Sequence, residues 1–158
     1  MIYVTGDIHG DKRRFEDAKR LKAGDTLLVC GDFGFLWEGN AAEERLLKKL
    51  GKKKYNIAFV DGAHENFELL NRCEEGEWNG GRVHLLGGNV YHLIRGEVYT
   101  IEGKTFFAFG GGETRDRQIY QDAGKWWREE FPTMEEMKNG AAHLQECGKK
   151  VDYIVTHW

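Results

Sequence analysis

The chain has 158 residues, of which 41% are hydrophobic and 31% charged, with one proline, a composition that suits a single folded domain and excludes a disordered segment. Its 23 Lys+Arg against 26 Asp+Glu give a formal charge of −3, so no global positive field favours nucleic acid as a partner. Three cysteines at unrelated spacings argue against a disulfide framework or zinc ribbon, and no segment approaches the ~20 apolar residues of a membrane span or has the pattern of a leader, which points to the reducing cytoplasm.

Residues 2–5 read as a strand, and 12–22 as a helix with Phe15, Ala18 and Leu21 on one face. A strand at 26–30 ends on Cys30, expected to be a small buried residue. A helix follows near 41–50 with Leu46, Leu47 and Leu50 apolar; the lysines from Lys48 to Lys54 form its solvated basic end, after Glu43 and Glu44. The strand 56–61 and a short helix over 66–72 complete a β-α-β-α-β rhythm, which implies a parallel sheet with helices packed on it. Short strands at 82–86, 90–95, 97–101 and 104–109, with hairpin turns at Arg95-Gly96-Glu97 and Glu102-Gly103-Lys104, suggest an antiparallel layer. Residues 110–131 read as one long loop, a length usual in functional or disordered segments. A helix restarts at Pro132, with Thr133 as its cap and Glu136 at the capping-box position, and a last strand over 151–156 delivers His157. No repeat or linker divides the chain, so 1–158 is read as one domain.

Four apolar strands thus open into short loops bearing Asp or His: Asp7 and His9 in Gly6-Asp7-Ile8-His9-Gly10, Asp32 after Gly31, His64 in Gly62-Ala63-His64-Glu65, and His157 after Thr156. Functional groups of parallel sheets collect beyond the carboxyl ends of the strands. Carboxylates and neutral imidazoles are the donors that hold divalent transition ions, and a pair of such ions ~3.5–4 Å apart can clamp a phosphoryl group. An isolated Asp-x-His is weak; four such loops, each after a strand, are much stronger together.

At these residues the sequence resembles the calcineurin-like metallophosphoesterases, which include the Ser/Thr protein phosphatases. The blocks are Gly6-Asp7-Ile8-His9-Gly10, Gly31-Asp32, Asp61-Gly62-Ala63-His64-Glu65-Asn66 and Val155-Thr156-His157, and they span nearly the whole chain. The stretches from Gly110-Gly111-Gly112 to Trp126-Trp127-Arg128-Glu129-Glu130 and from Val151 to His157 look like a bacterial branch of that family. The resemblance implies an α/β fold of the αββα sandwich type. Asp7 and His9 would bind a first metal, Asp32 would bridge it to a second, and His157 would bind the second. His64 would protonate the leaving group while a metal-activated hydroxide attacks phosphorus in line. Manganese, iron, zinc or nickel would serve. The implied activity is hydrolysis of phosphomonoesters, phosphoserine and phosphothreonine in proteins included.

The sequence departs from the family pattern at two places. The usual Gly-Asn-His block has Ala63 at the asparagine, whose side-chain oxygen is a ligand of the second metal. The family also continues to a Gly-His-x-His block, whereas this chain ends at Trp158, a C-terminal truncation of the fold. With Asp7, His9 and Asp32 left for one ion and Asp32 and His157 for the other, the expectation is an asymmetric site holding one ion, of impaired activity unless another chain completes it. Five tryptophans suit self-association into a homo-oligomer. Arg115 and Arg117 offer guanidinium groups for a substrate phosphate, with a solvated loop as the bland reading; Trp37, Trp126 and Trp127 serve either as a rim or as core. His84, His92 and His143 are read as surface or sheet residues without chemistry. The competing reading is a non-catalytic phosphate- or partner-binding remnant; a nuclease is disfavoured by the acidic balance and the lack of a basic, aromatic-interleaved groove.

Overall fold

In the computed structural model, which describes residues 1–158, the first half of the chain lays down three parallel strands, β1 (Ile2–Thr5), β2 (Thr26–Cys30) and β3 (Asn56–Val60), paired in sequence order. Side chains alternate across such strands. Leu27, Val29, Ile57 and Phe59 therefore face one core, and Leu28, Ala58 and Val60 face another. The first core is closed by α1 (Ala41–Gly51), which presents Leu47 and Leu50 to the sheet and is capped by Asn40, whose side chain accepts from the Ala42 and Glu43 amides. Lys48 and Lys49 of its last turn are solvated, as expected. Cys30 is half-buried rather than buried.

Residues 12–22 do not form the expected α-helix. Two 3₁₀ turns, Lys12–Phe15 and Asp17–Arg20, take its place, and the Asp11 carboxylate caps the first by accepting from the Arg13 amide. The apolar spacing fits this outcome: Phe15, Ala18 and Leu21 recur every three residues, the 3₁₀ period, and all three are buried.

The expected antiparallel layer is divided between two sheets. Beyond β3 and the single turn α2 (Phe67–Leu70) comes β4 (Glu74–Trp78), a strand the sequence reading missed because it is charged, contains Gly76 and lies at a sheet edge. β5 (Gly81–Gly87) pairs antiparallel with β4 and with β6 (Val90–Leu93), and β6 returns to pair parallel with β3. Arg95-Gly96-Glu97 is consequently no hairpin turn. It carries the chain to a second sheet of β7 (Val98–Ile101), β8 (Lys104–Phe109) and β9 (Tyr153–Thr156), in which β9 runs parallel to β8. The Glu102-Gly103 turn does join β7 to β8, with positive φ at both residues (50° and 74°) as a tight two-residue hairpin needs. Leu28, Val60, Val83, Leu93, Tyr99, Phe106 and Val155 fill the space between the sheets. Tyr99 is wholly buried there, and its hydroxyl donates to the Arg82 carbonyl (2.6 Å).

Residues 110–131 hold more structure than one loop: a helix, α3 (Arg117–Asp122), and a 3₁₀ turn at Arg128–Glu130. The turn buries the Glu130 carboxylate, which accepts from the Thr114 hydroxyl and the Trp126 indole N–H. α4 (Met134–Glu146) begins with the expected capping box of Thr133 and Glu136. It lies on the outer face of the second sheet, with Gly140 against the Phe107 ring, and completes an α–β–β–α order of layers. No helix is long and apolar enough to cross a membrane.

Candidate metal centre

The loops after β1, β2, β3 and β9 converge. Backbone bonds join the first two: the His9 amide donates to the Asp32 carbonyl (2.8 Å) and the Gly10 amide to the Phe33 carbonyl (3.0 Å). Asp7, His9 and Asp32 all sit at positive φ (50°, 48° and 50°). Non-glycine residues held in this region cost on the order of 1–3 kcal/mol each, and such strain clusters at functional sites. Three strained residues within one cluster of Asp and His mark it as built for more than packing.

Asp32 is the hub, with only 4% of its surface exposed. Its Oδ1 accepts the His64 amide and its Oδ2 the His64 Nδ1–H, each at 2.9 Å. His9 Nε2 lies 3.4 Å from Oδ2 and His157 Nε2 lies 3.6 Å from Oδ1. The nearest donors form two sets that share Asp32: Asp7, Asp32 and His157, and His9, Asp32 and His64, each with its donor atoms within 4.8 Å of one another. This grouping sets Asp7 beside His157, where the sequence pattern paired it with His9. Burial raises the Asp32 carboxyl, but the two His64 hydrogen bonds, together with the charges of His64 and His157, outweigh it and hold the group below the usual carboxylate range. The same hydrogen bond raises the His64 imidazole above its ordinary value, against the opposing effect of burial.

The donor chemistry fits divalent transition ions. Two carboxylates and three imidazoles are available, and His157 is oriented as a ligand would be. Its Nδ1 lies 2.8 Å from the Cys30 carbonyl, which can only accept, so Nδ1 carries the proton and Nε2 keeps its lone pair. Two glycines make this crowding possible. A Cβ on Gly31, at φ +92°, would fall 2.2 Å from His157 Nδ1, and one on Gly62 would fall 2.1 Å from Asp32 Oδ1. Gly62→Ala is therefore expected to push the hub carboxylate aside and lower manganese affinity by about 10–100-fold, the usual cost of disturbing a ligand's support. Calorimetric titration with manganese measures this; affinity equal to the unaltered protein would mean that Gly62 does not set the position of Asp32.

The structure also places the other residues singled out in the sequence. Arg115 and Arg117 are exposed, each stacked on an indole: Arg115 over Trp158 at 5.1 Å and Arg117 over Trp126 at 4.0 Å. Of the three tryptophans, Trp37 lines a cleft beside His9 and His64, whereas Trp127 packs on the core. His84 and His92 take sheet positions, paired with each other across β5 and β6. They are 8% and 5% exposed and form a chain, His84 Nδ1 to His92 Nδ1 (2.9 Å) and His92 Nε2 to Asp61 Oδ1 (3.0 Å). Burial, with His92 adding to it, lowers His84 to about 4.

Three residues near the site had no assigned role. Asp61 is buried and paired with Arg95, whose Nη2 lies 2.6 Å from Oδ2. Glu65 accepts the Phe33 amide (2.7 Å) and fastens the loop after β2; burial raises its carboxyl to about 8. Tyr120 sets its ring 5.0 Å from the His64 ring. An acidic residue ending or closely following an apolar strand was a usable signal for Asp61 and Glu65. Tyr120 had none, since it lies in α3, within the stretch read as loop.

No match was found among curated proteins or among solved structures. A family model described as calcineurin-like phosphoesterase matches residues 1–157, which takes in every strand of the two sheets and all four converging loops, and the chain belongs to that family.

Proposed function

We propose that this chain is a metal-dependent hydrolase of phosphomonoesters, acting on a phosphorylated protein or small molecule. One observation carries the reading: a single buried carboxylate, Asp32, gathers three imidazoles at 2.9–3.6 Å on loops that end four different strands. Asp7, His9, Asp32 and His157 are the residues to hold divalent ions, with manganese, iron, zinc and nickel all compatible with these donors. Such ions, when bound, offset the charge gathering on the phosphoryl oxygens and acidify bound water. His64, oriented through Nδ1 by Asp32, leaves Nε2 to deliver a proton to the departing oxygen. Arg115 and Arg117 supply guanidinium groups for the phosphate oxygens.

Ala63 favours a second reading. Its methyl group offers no donor where the family carries asparagine, so a chain that binds phosphate without turning it over fits the same fold. Phosphate release from a chromogenic aryl phosphate, with each metal added in turn, separates the two. Manganese-dependent release that disappears in Asp32→Ala and rises in Ala63→Asn is the expected result. Release by Ala63→Asn alone would favour the binding remnant, and no release by either protein would sink the hydrolase reading.

A further inference from the structure

We propose that the cleft beside His64 receives the base of a nucleoside monophosphate, so that the oxygen leaving phosphorus belongs to a ribose. The proposal rests on the phosphoesterase reading and names the substrate class for that site. The cleft encloses about 450 Å³, within the range of small-molecule sites, and His9, Trp37, Glu43, His64 and Tyr120 are among its walls.

The aromatic wall is fixed in place. Trp37 stands edge-on to Tyr120 (6.4 Å between centroids) and to Trp127 (5.8 Å). Its amide donates to Glu43 Oε2 (3.0 Å), and its carbonyl accepts from Asn66 Nδ2 (2.7 Å) and Lys125 Nζ (3.4 Å). Three contacts from three parts of the chain thus hold the Trp37 backbone, and the two edge-on rings steady its partly exposed indole beside the candidate proton donor. Rigid aromatic surface presented to a cleft is what a planar ring stacks on.

Charge and leaving-group chemistry narrow the occupant. No lysine or arginine is among the cleft's walls. Lys125, whose ammonium lies 5.7 Å from the centre of the Trp37 ring, is already paired with Glu38 Oε2 (3.0 Å), so further phosphates or an acidic peptide flank would have to compete for that one cation. The Glu43 oxygens already accept the amides of Trp37, Glu38 and Gly39, which leaves that carboxylate poorly placed to read a base edge and favours tolerance among bases. A phenolate is a better leaving group than an alkoxide and gains less from a proton, so the proton that His64 offers matters most for an alcohol. Aromatic wall and proton donor together select a planar ring carried on an alcohol. In the reaction, the oxygen of water bonds to phosphorus, the bond from phosphorus to the ribose oxygen breaks, that oxygen takes the His64 proton, and the proton given up by the water restores His64; the products are nucleoside and inorganic phosphate.

The test compares kcat/KM, with manganese added, for 5′-AMP, 3′-AMP, glycerol phosphate and a phosphoserine peptide, in the unaltered protein, Trp37→Ala and Tyr120→Ala. Adenosine binding by calorimetry runs alongside, and thermal melts check that each variant folds. One of the two nucleotides should exceed glycerol phosphate by about 5- to 100-fold, the value of one stacked base, and should identify which ribose oxygen departs. That ratio should collapse in both variants, mainly through KM. A ratio near one, a nucleotide preference that survives both variants, or preference for the peptide would overturn the proposal while leaving the phosphoesterase reading intact. Should no ester be hydrolysed, the phosphoesterase reading fails instead, and adenosine decides the cleft: binding weakened by Tyr120→Ala supports a nucleoside site, and no binding refutes it.

Discussion

Replacing His64 with alanine is expected to lower kcat for an alkyl phosphate by about 10²–10⁴-fold, the usual contribution of a positioned general acid. The side chain is tied to Asp32 through Nδ1 at 2.9 Å, so its other ring nitrogen is the one available to a substrate. The size of the loss should depend on the ester. An alkoxide needs the proton before it can depart, whereas p-nitrophenolate does not, so p-nitrophenyl phosphate should lose far less. Steady-state kinetics on both substrates in His64→Ala measures this. Equal losses would show that His64 acts by holding Asp32 rather than by protonating the leaving group.

The second large effect concerns stability. Asp61 and Arg95 are 1% and 5% exposed, and the Arg95 Nε and Nη2 both donate to Asp61 Oδ2, at 3.0 and 2.6 Å. Removing one partner of a buried ion pair strands the other's charge, at a cost of about 3–5 kcal/mol. Asp61→Asn should therefore lose that much in urea denaturation at neutral pH, a large part of a typical domain's stability. The effect also carries a pH signature. Burial alone would raise the Asp61 carboxyl, but the His92 hydrogen bond and the Arg95 charge override it and bring it from 3.8 to about 2. A depressed folded value stabilises the protein above the unfolded pKa, and that stability is lost as pH falls from about 3.8 to about 2. The shift corresponds to about 2 kcal/mol, so the difference between Asp61→Asn and the unaltered protein should shrink by that amount at acid pH. A difference that is constant with pH would mean that Asp61 does not titrate against this network.

Much of this molecule could be read from the order of its residues. Runs such as Leu27-Leu28-Val29 and Ile57-Ala58-Phe59-Val60 are apolar on both sides, which a strand buried between two layers requires. Thr133 and Glu136 announced the start of α4 through a purely local bond pattern. Where competing local signals were weak, the reading failed. Phe15, Ala18 and Leu21 look alike in an α-helix and in successive 3₁₀ turns, and only the Asp11 cap and the packing of the segment on the sheet distinguish them. Arg95-Gly96-Glu97 has the composition of a hairpin, but Gly96 passes so near Gly140 of α4 that a Cβ would lie 2.7 Å from its amide nitrogen. That contact spans 44 positions of sequence and belongs to a crossover between sheets.

By itself, the sequence determined the chemistry on offer: carboxylates and imidazoles on loops that end apolar strands, because local pattern fixes strands and the residues that follow them. Tertiary structure alone decided which of these groups meet. It set Asp32 between His9, His64 and His157, buried Asp61 with Arg95 and His92, and brought Trp37 and Tyr120 together beside His64 from positions 83 residues apart. The physical reason is that a side chain's partner, charge state and exposure depend on the packing of distant segments, which no local pattern encodes.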